Sequence, residues 1–115
     1  MKILLKGGRV VSGQGSRPAD VLLDGETVAA VEECLSTEGT QVVDCAGKLL
    51  FPGFIDGHTH FDLEVGGTIT ADDFASGSRA ALRGGTTMVV DFAAPDKGDT
   101  LAYGLERWRE KAAGR

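Results

Sequence analysis

The stretch Thr86-Thr87-Met88-Val89-Val90-Asp91-Phe92 constrains the fold more than any other part of the chain. A strand with one wet face alternates apolar and polar side chains. This run is too apolar and β-branched for that, and predicts a strand buried on both faces. Such strands sit in parallel sheets covered by helices. The flanks supply the helices. Phe74, Ser78, Ala81 and Leu82 fall on one helical face, with Thr70 as the opening residue, Asp72 and Asp73 in the first turn and Gly84-Gly85 as the stop. After a loop with Pro95 and Gly98, Leu101, Leu105, Trp108 and Ala112 recur at helical spacing. Phe54 to His60 reads as a preceding strand. Strand, helix, strand, helix is the grammar of a parallel α/β sheet. Two such strands and two helices do not close a core. The pattern therefore expects further strands, from a longer protein or from other chains.

Residues 1–52 have a different character. Ile3–Lys6 and Arg9–Val11 flank Gly7-Gly8, a turn signal, and Ala19–Leu23 and Thr27–Val31 flank Asp24-Gly25, a hairpin signal. Gln41–Cys45 and Lys48–Phe51 flank Ala46-Gly47. These segments predict a small antiparallel β unit, with residues 34–40 as loop.

Charge and composition exclude several partners. The net charge is −5, with acidic and basic residues mixed along the chain. Nucleic acid needs a concentrated positive face, so it is not expected as a partner. No apolar run approaches the roughly 20 residues that span a membrane. The start, Met1-Lys2-Ile3-Leu4-Leu5-Lys6, lacks the long apolar stretch of an export signal and reads as a first strand. Cys34 and Cys45 form no CxxC and sit near no histidine, which fits reduced thiols in a cytoplasmic protein.

The chain has two histidines, in His58-Thr59-His60. On a strand, residues i and i+2 point to the same face, about 6.5–7 Å apart along the backbone. Two imidazoles so placed can converge on one ion. On a helix the same spacing would separate them. They stand at the C-terminal end of their strand, where α/β barrels place chemistry. HxH alone is a weak signal, because paired histidines are more often surface or hydrogen-bonded residues. Asp56 and Asp62 share strand parity with the pair. Asp62 is a candidate to orient an imidazole from outside the ligand set, and a solvated loop residue is an equal alternative. Asp56 reads as a buried structural carboxylate, Asp91 as a capping or packing residue, and Trp108 as core or interface.

The context of the pair is more specific. Pro52-Gly53-Phe54-Ile55-Asp56-Gly57-His58-Thr59-His60 resembles the opening barrel strand of the amidohydrolase superfamily. Gly67-Thr68-Ile69-Thr70-Ala71-Asp72-Asp73-Phe74 resembles the stretch that follows it in dihydropyrimidinases and hydantoinases, and Gly84 to Phe92 resembles their second barrel strand. Lys6-Gly7-Gly8-Arg9-Val10-Val11 and Asp44-Cys45-Ala46-Gly47-Lys48 are similar to that family's small β domain.

The resemblance implies an α/β fold: β-sandwich strands over residues 1–52, then the first two β/α units of a TIM-like (β/α)8 barrel over 53–115, the barrel incomplete in this chain. A complete barrel alone takes about 250 residues. It also implies a zinc-dependent hydrolase that opens a small cyclic amide, with two ions in the complete enzyme. His58 and His60 would bind the more buried ion, and a hydroxide held between the ions would attack the ring amide carbon. A carboxylated lysine, two more histidines and an aspartate complete the family's site on later strands. These 115 residues alone are therefore expected to be inactive, and the complete form is expected to be a homo-oligomer.

The loop Phe61-Asp62-Leu63-Glu64-Val65-Gly66-Gly67 departs from the proline- or methionine-rich stretch of many relatives, in a region that borders their substrate pocket. Dihydroorotases and allantoinases are neighbouring alternatives, against which Thr70-Ala71-Asp72-Asp73-Phe74 favours dihydropyrimidinase or hydantoinase. Some dihydropyrimidinase-like proteins are non-catalytic assembly proteins that usually have lost metal-binding histidines. Retention of His58 and His60 favours the enzyme.

Overall fold

A computed structural model describes residues 1–115. The chain divides into two compact units, Met1–Pro52 and Gly53–Arg115.

The first unit is one mixed sheet of five strands: β1 (Lys2–Ser12), β2 (Gly15–Asp24), β3 (Thr27–Glu32), β4 (Gln41–Asp44) and β5 (Leu49–Leu50). β1 to β3 form an antiparallel meander, and the β2–β3 turn closes in two residues, Gly25-Glu26, between the paired Asp24 and Thr27. β4 and β5 both run parallel to β1, contrary to the antiparallel unit expected from segment lengths. Ala46-Gly47 therefore joins two strands that lie end to end along the same edge. The unit forms a single layer, with no second sheet among its own residues.

Gly7-Gly8 is not a turn. β1 runs through it, with a bulge between Leu5 and Gly8. Gly7 has φ +75°, which only glycine adopts at little cost. A Cβ on Gly8 would lie 2.7 Å from Leu50 Cδ1, so glycine there lets β5 approach. The carboxylate of Asp20, 3% exposed, fastens the bulge: it accepts from Gly7 N (2.8 Å), Lys6 Nζ (3.1 Å) and Leu35 N (3.0 Å). Those donors, the two backbone N–H groups foremost, hold its pKa below the ordinary value. Leu4, Ala19, Val21 and Cys45 are the buried apolar residues of this unit.

The second unit begins with β6 (Phe54–Thr59). A tight hairpin follows, β7 (Glu64–Val65) and β8 (Thr68–Ile69), turning on Gly66-Gly67, both at positive φ as a type I′ turn requires. Thr70 does not open a helix. It pairs with Leu63, donating its backbone N–H to Leu63 O and accepting Leu63 N on its hydroxyl, both at 2.9 Å, and so closes the base of the hairpin. The helix α1 (Phe74–Arg83) is capped instead by Asp73, whose carboxylate accepts from Ser76 N at 2.8 Å while Ser76 Oγ accepts from Asp73 N at 3.1 Å. A carboxylate is the stronger acceptor for the helix N-terminus.

β9 (Thr86–Asp91) pairs parallel with β6, as its pattern requires. α2 (Leu101–Ala112) closes the unit. Its buried stripe is Gly104 and Trp108, whereas Leu101 is 81% exposed and Leu105 is also exposed, unlike the face expected from their spacing. With only two strands present, no barrel closes, and Ile55, Met88, Val90 and Phe92 stay exposed. No helix is long and apolar enough to cross a membrane.

Candidate metal centre

His58 lies on β6 and His60 directly follows it. Their two-residue spacing puts both rings on one side of the strand. Nε2 of His58 is 3.0 Å from Nε2 of His60, with the rings edge to face at 81°. A tetrahedral zinc ion bound at about 2.0–2.1 Å holds two nitrogens roughly 3.3 Å apart. A slight ring rotation spans that difference, so the donor pair fits a shared ion. Phe92, one residue past β9, packs against both imidazoles, its ring centroid 4.5 Å from His58 and 5.3 Å from His60. No third histidine, cysteine, aspartate or glutamate joins them in a metal-binding group.

The strand end that carries the pair is fixed from below. Asp91, the last residue of β9, aligns with Thr59 in the parallel register. Its Oδ1 accepts from Thr59 Oγ1 at 2.8 Å and from Phe61 N at 3.0 Å, and its Oδ2 accepts from the Trp108 indole at 2.8 Å. Phe61 then stacks edge to face on Phe74 and rests on Gly77 of α1. Asp56 is exposed rather than buried, because β6 has a neighbour on one side only; it accepts from His58 N at 3.1 Å.

Asp62 is half-buried, with φ +51°, and is the one non-glycine residue in the left-handed region. Its carboxylate lies 3.7 Å from Lys111 Nζ, and the same ammonium donates to its backbone carbonyl. Its partner is thus a lysine of α2. Sequence reasoning did not single out Phe92 or Lys111. The register of two parallel strands ending together was the available signal for Phe92. Lys111 lies 49 residues from Asp62, and no local pattern marks it.

The amidohydrolase family model matches residues 49–113, a span that holds β6, both histidines and β9. The chain belongs to the amidohydrolase family. Among relatives, this amidohydrolase chain is 42% identical over its whole length to a D-hydantoinase of Geobacillus stearothermophilus. It is 44% identical, over 96% of its length, to a dihydropyrimidinase of Rattus norvegicus. The crystal structure of dihydropyrimidinase from Brevibacillus agri superimposes with a TM-score of 0.92 over 96% of the chain, at 44% identity. The chain spans 24%, 22% and 24% of these three proteins, about a quarter of their length.

Proposed function

We propose that this chain is part of a zinc-dependent hydrolase that opens the ring of small cyclic amides of the dihydropyrimidine or hydantoin type. The observation that carries the reading is the convergence of His58 and His60 on one point at the end of a parallel strand. The similarity to D-hydantoinases and dihydropyrimidinases supports the substrate class.

In this reading His58 and His60 each present Nε2 to one ion, with Nδ1 carrying the proton of the neutral ring. Bound zinc supplies Lewis acidity toward an amide carbonyl and lowers the pKa of a water molecule. Phe92 limits the rotation of both rings and keeps water from one side of them. Asp62, held by Lys111, fixes the chain where it leaves the strand after His60.

With two histidines in all, the chain supplies two of the ligands that the resemblance implies, and we assign it no turnover alone. The exposed apolar side chains of β6 and β9 are the surface that further barrel strands would cover. Residues 1–52 are read as part of a β-sandwich domain and residues 53–115 as the first barrel units, within a homo-oligomeric protein. Free thiols at Cys34 and Cys45 support a cytoplasmic setting.

The test is ring opening by the complete protein. Dihydrouracil or hydantoin should be hydrolysed, with activity lost in His58→Ala and His60→Ala and on chelation, then restored by zinc in the unsubstituted protein. Preference for dihydroorotate, or full activity without either imidazole, would overturn the reading.

A further inference from the structure

We propose that Asp91 is a positioning residue for the histidine pair: its carboxylate clamps the chain on both sides of His60 and so keeps the two imidazoles facing one point. The inference rests on the metal-centre reading above.

The geometry is specific. Thr59 and Phe61 are the two neighbours of His60, and both donate to the same oxygen of Asp91, one through its side chain and one through its backbone. With Thr59 Oγ1 and Phe61 N tied to one atom, the residue between them has little freedom to rotate about the chain. Thr59 also lies between the two histidines, so the clamp holds their relative orientation. The second oxygen of Asp91 accepts the indole N–H of Trp108, a residue 7% exposed. That bond ties the same carboxylate to α2 through the oxygen that the two neighbours of His60 do not use. A carboxylate suits three donors, because each ionised oxygen can accept more than one hydrogen bond. Partners that orient metal ligands are commonly worth tenfold or more in affinity.

Two readouts in the full chain separate this proposal from the reading on which it rests. The first is the ring-to-ring nuclear Overhauser contact between His58 and His60 without metal. The second is zinc affinity by chelator competition. In Asp91→Ala the ring contact should be lost and zinc affinity should fall about tenfold. Thr59→Val, nearly isosteric, should weaken both by a smaller factor. Trp108→Phe removes a partner of the same carboxylate but leaves the clamp, so it should lower the melting temperature while ring contact and affinity persist.

A folded Asp91→Ala chain with the ring contact intact would overturn the proposal, as would a Trp108→Phe chain that loses as much as Asp91→Ala. Should Asp91→Ala fail to fold, Thr59→Val decides: an unchanged ring contact there sinks the clamp. If the ring contact depends on Asp91 but even the unsubstituted chain ignores zinc, the clamp stands and the metal reading falls.

Discussion

Lys111 holds Asp62 twice, donating from its ammonium to the backbone carbonyl while its charge lies 3.7 Å from the carboxylate of the same residue. The ammonium also sits 4.7 Å from the Trp108 ring centroid. One side chain thus joins the last turn of α2 to the segment that leaves β6 after the histidines, at a residue in the left-handed region of backbone space.

Lys111→Met keeps a long unbranched side chain and removes the charge, with its place over the Trp108 ring. A hydrogen bond from a charged donor is worth about 1.5–3 kcal/mol, and exposure lowers the gain from the ion pair. We expect a loss of about 1–2 kcal/mol of unfolding free energy by urea denaturation. Faster amide exchange should appear at residues 61–63, next to the lost contact.

Gly77→Ala sets two effects against each other. Alanine in a helix interior gains about 1 kcal/mol over glycine. Here the new Cβ would stand 2.4 Å from Phe61 Cε1, with Phe61 itself packed on Phe74. Overpacking of this kind costs about 1–3 kcal/mol. The clash should win, giving a net loss near 1 kcal/mol and a shifted Phe61 ring in the nuclear magnetic resonance spectrum.

Much of this second unit is legible in the sequence, for a physical reason. The β-branched run of β9, the Gly84-Gly85 stop and the HxH spacing are local signals, and local signals survive in one dimension. The histidine pair is legible because strand parity puts both rings on one face. Helix α1 starts at Phe74 rather than near Thr70 because two acceptors competed for roles. Asp73 took the cap, and Thr70 was drawn into the base of a hairpin by Leu63.

Long-range features are illegible. Gly7-Gly8 looks like a turn, and only the partners of the bulge, Asp20 and Leu50, show why the strand continues. The parallel pairing of β4 and β5 with β1 leaves no mark in their own composition. The joint hold of Thr59, Phe61 and Trp108 on Asp91 arises from register, which a residue pattern does not carry.

Asp20→Ala should destabilise the first unit strongly. It removes a shared acceptor from Gly7 N, Leu35 N and the Lys6 ammonium in a part-buried setting, where Lys6 keeps only the Leu35 carbonyl. Unsatisfied buried donors cost about 1–3 kcal/mol each, partly recovered by water. A loss of about 3 kcal/mol in chemical denaturation is expected.

Asp20 also sets a pH dependence. Its folded pKa lies below the ordinary value of 3.8, because two backbone N–H groups and Lys6 favour the carboxylate over burial. Between the two values the unfolded chain binds more protons, so stability rises with pH there. The contribution is complete above the unfolded value and is lost as pH falls through the folded one. Urea midpoints should therefore drop on acidification through and below the ordinary carboxylate range. Asp20→Asn should lack that part of the drop, and an identical pH profile would contradict the assignment.

The convergence of His58 and His60 on one cation is tested most directly by zinc titration of the nitrogen-15-labelled chain, observed at the imidazole nitrogens. Both Nε2 resonances should move together along one binding isotherm, while His58→Ala weakens the response of His60 and His60→Ala that of His58. Two independent isotherms, or Nε2 signals that ignore zinc, would contradict a shared site.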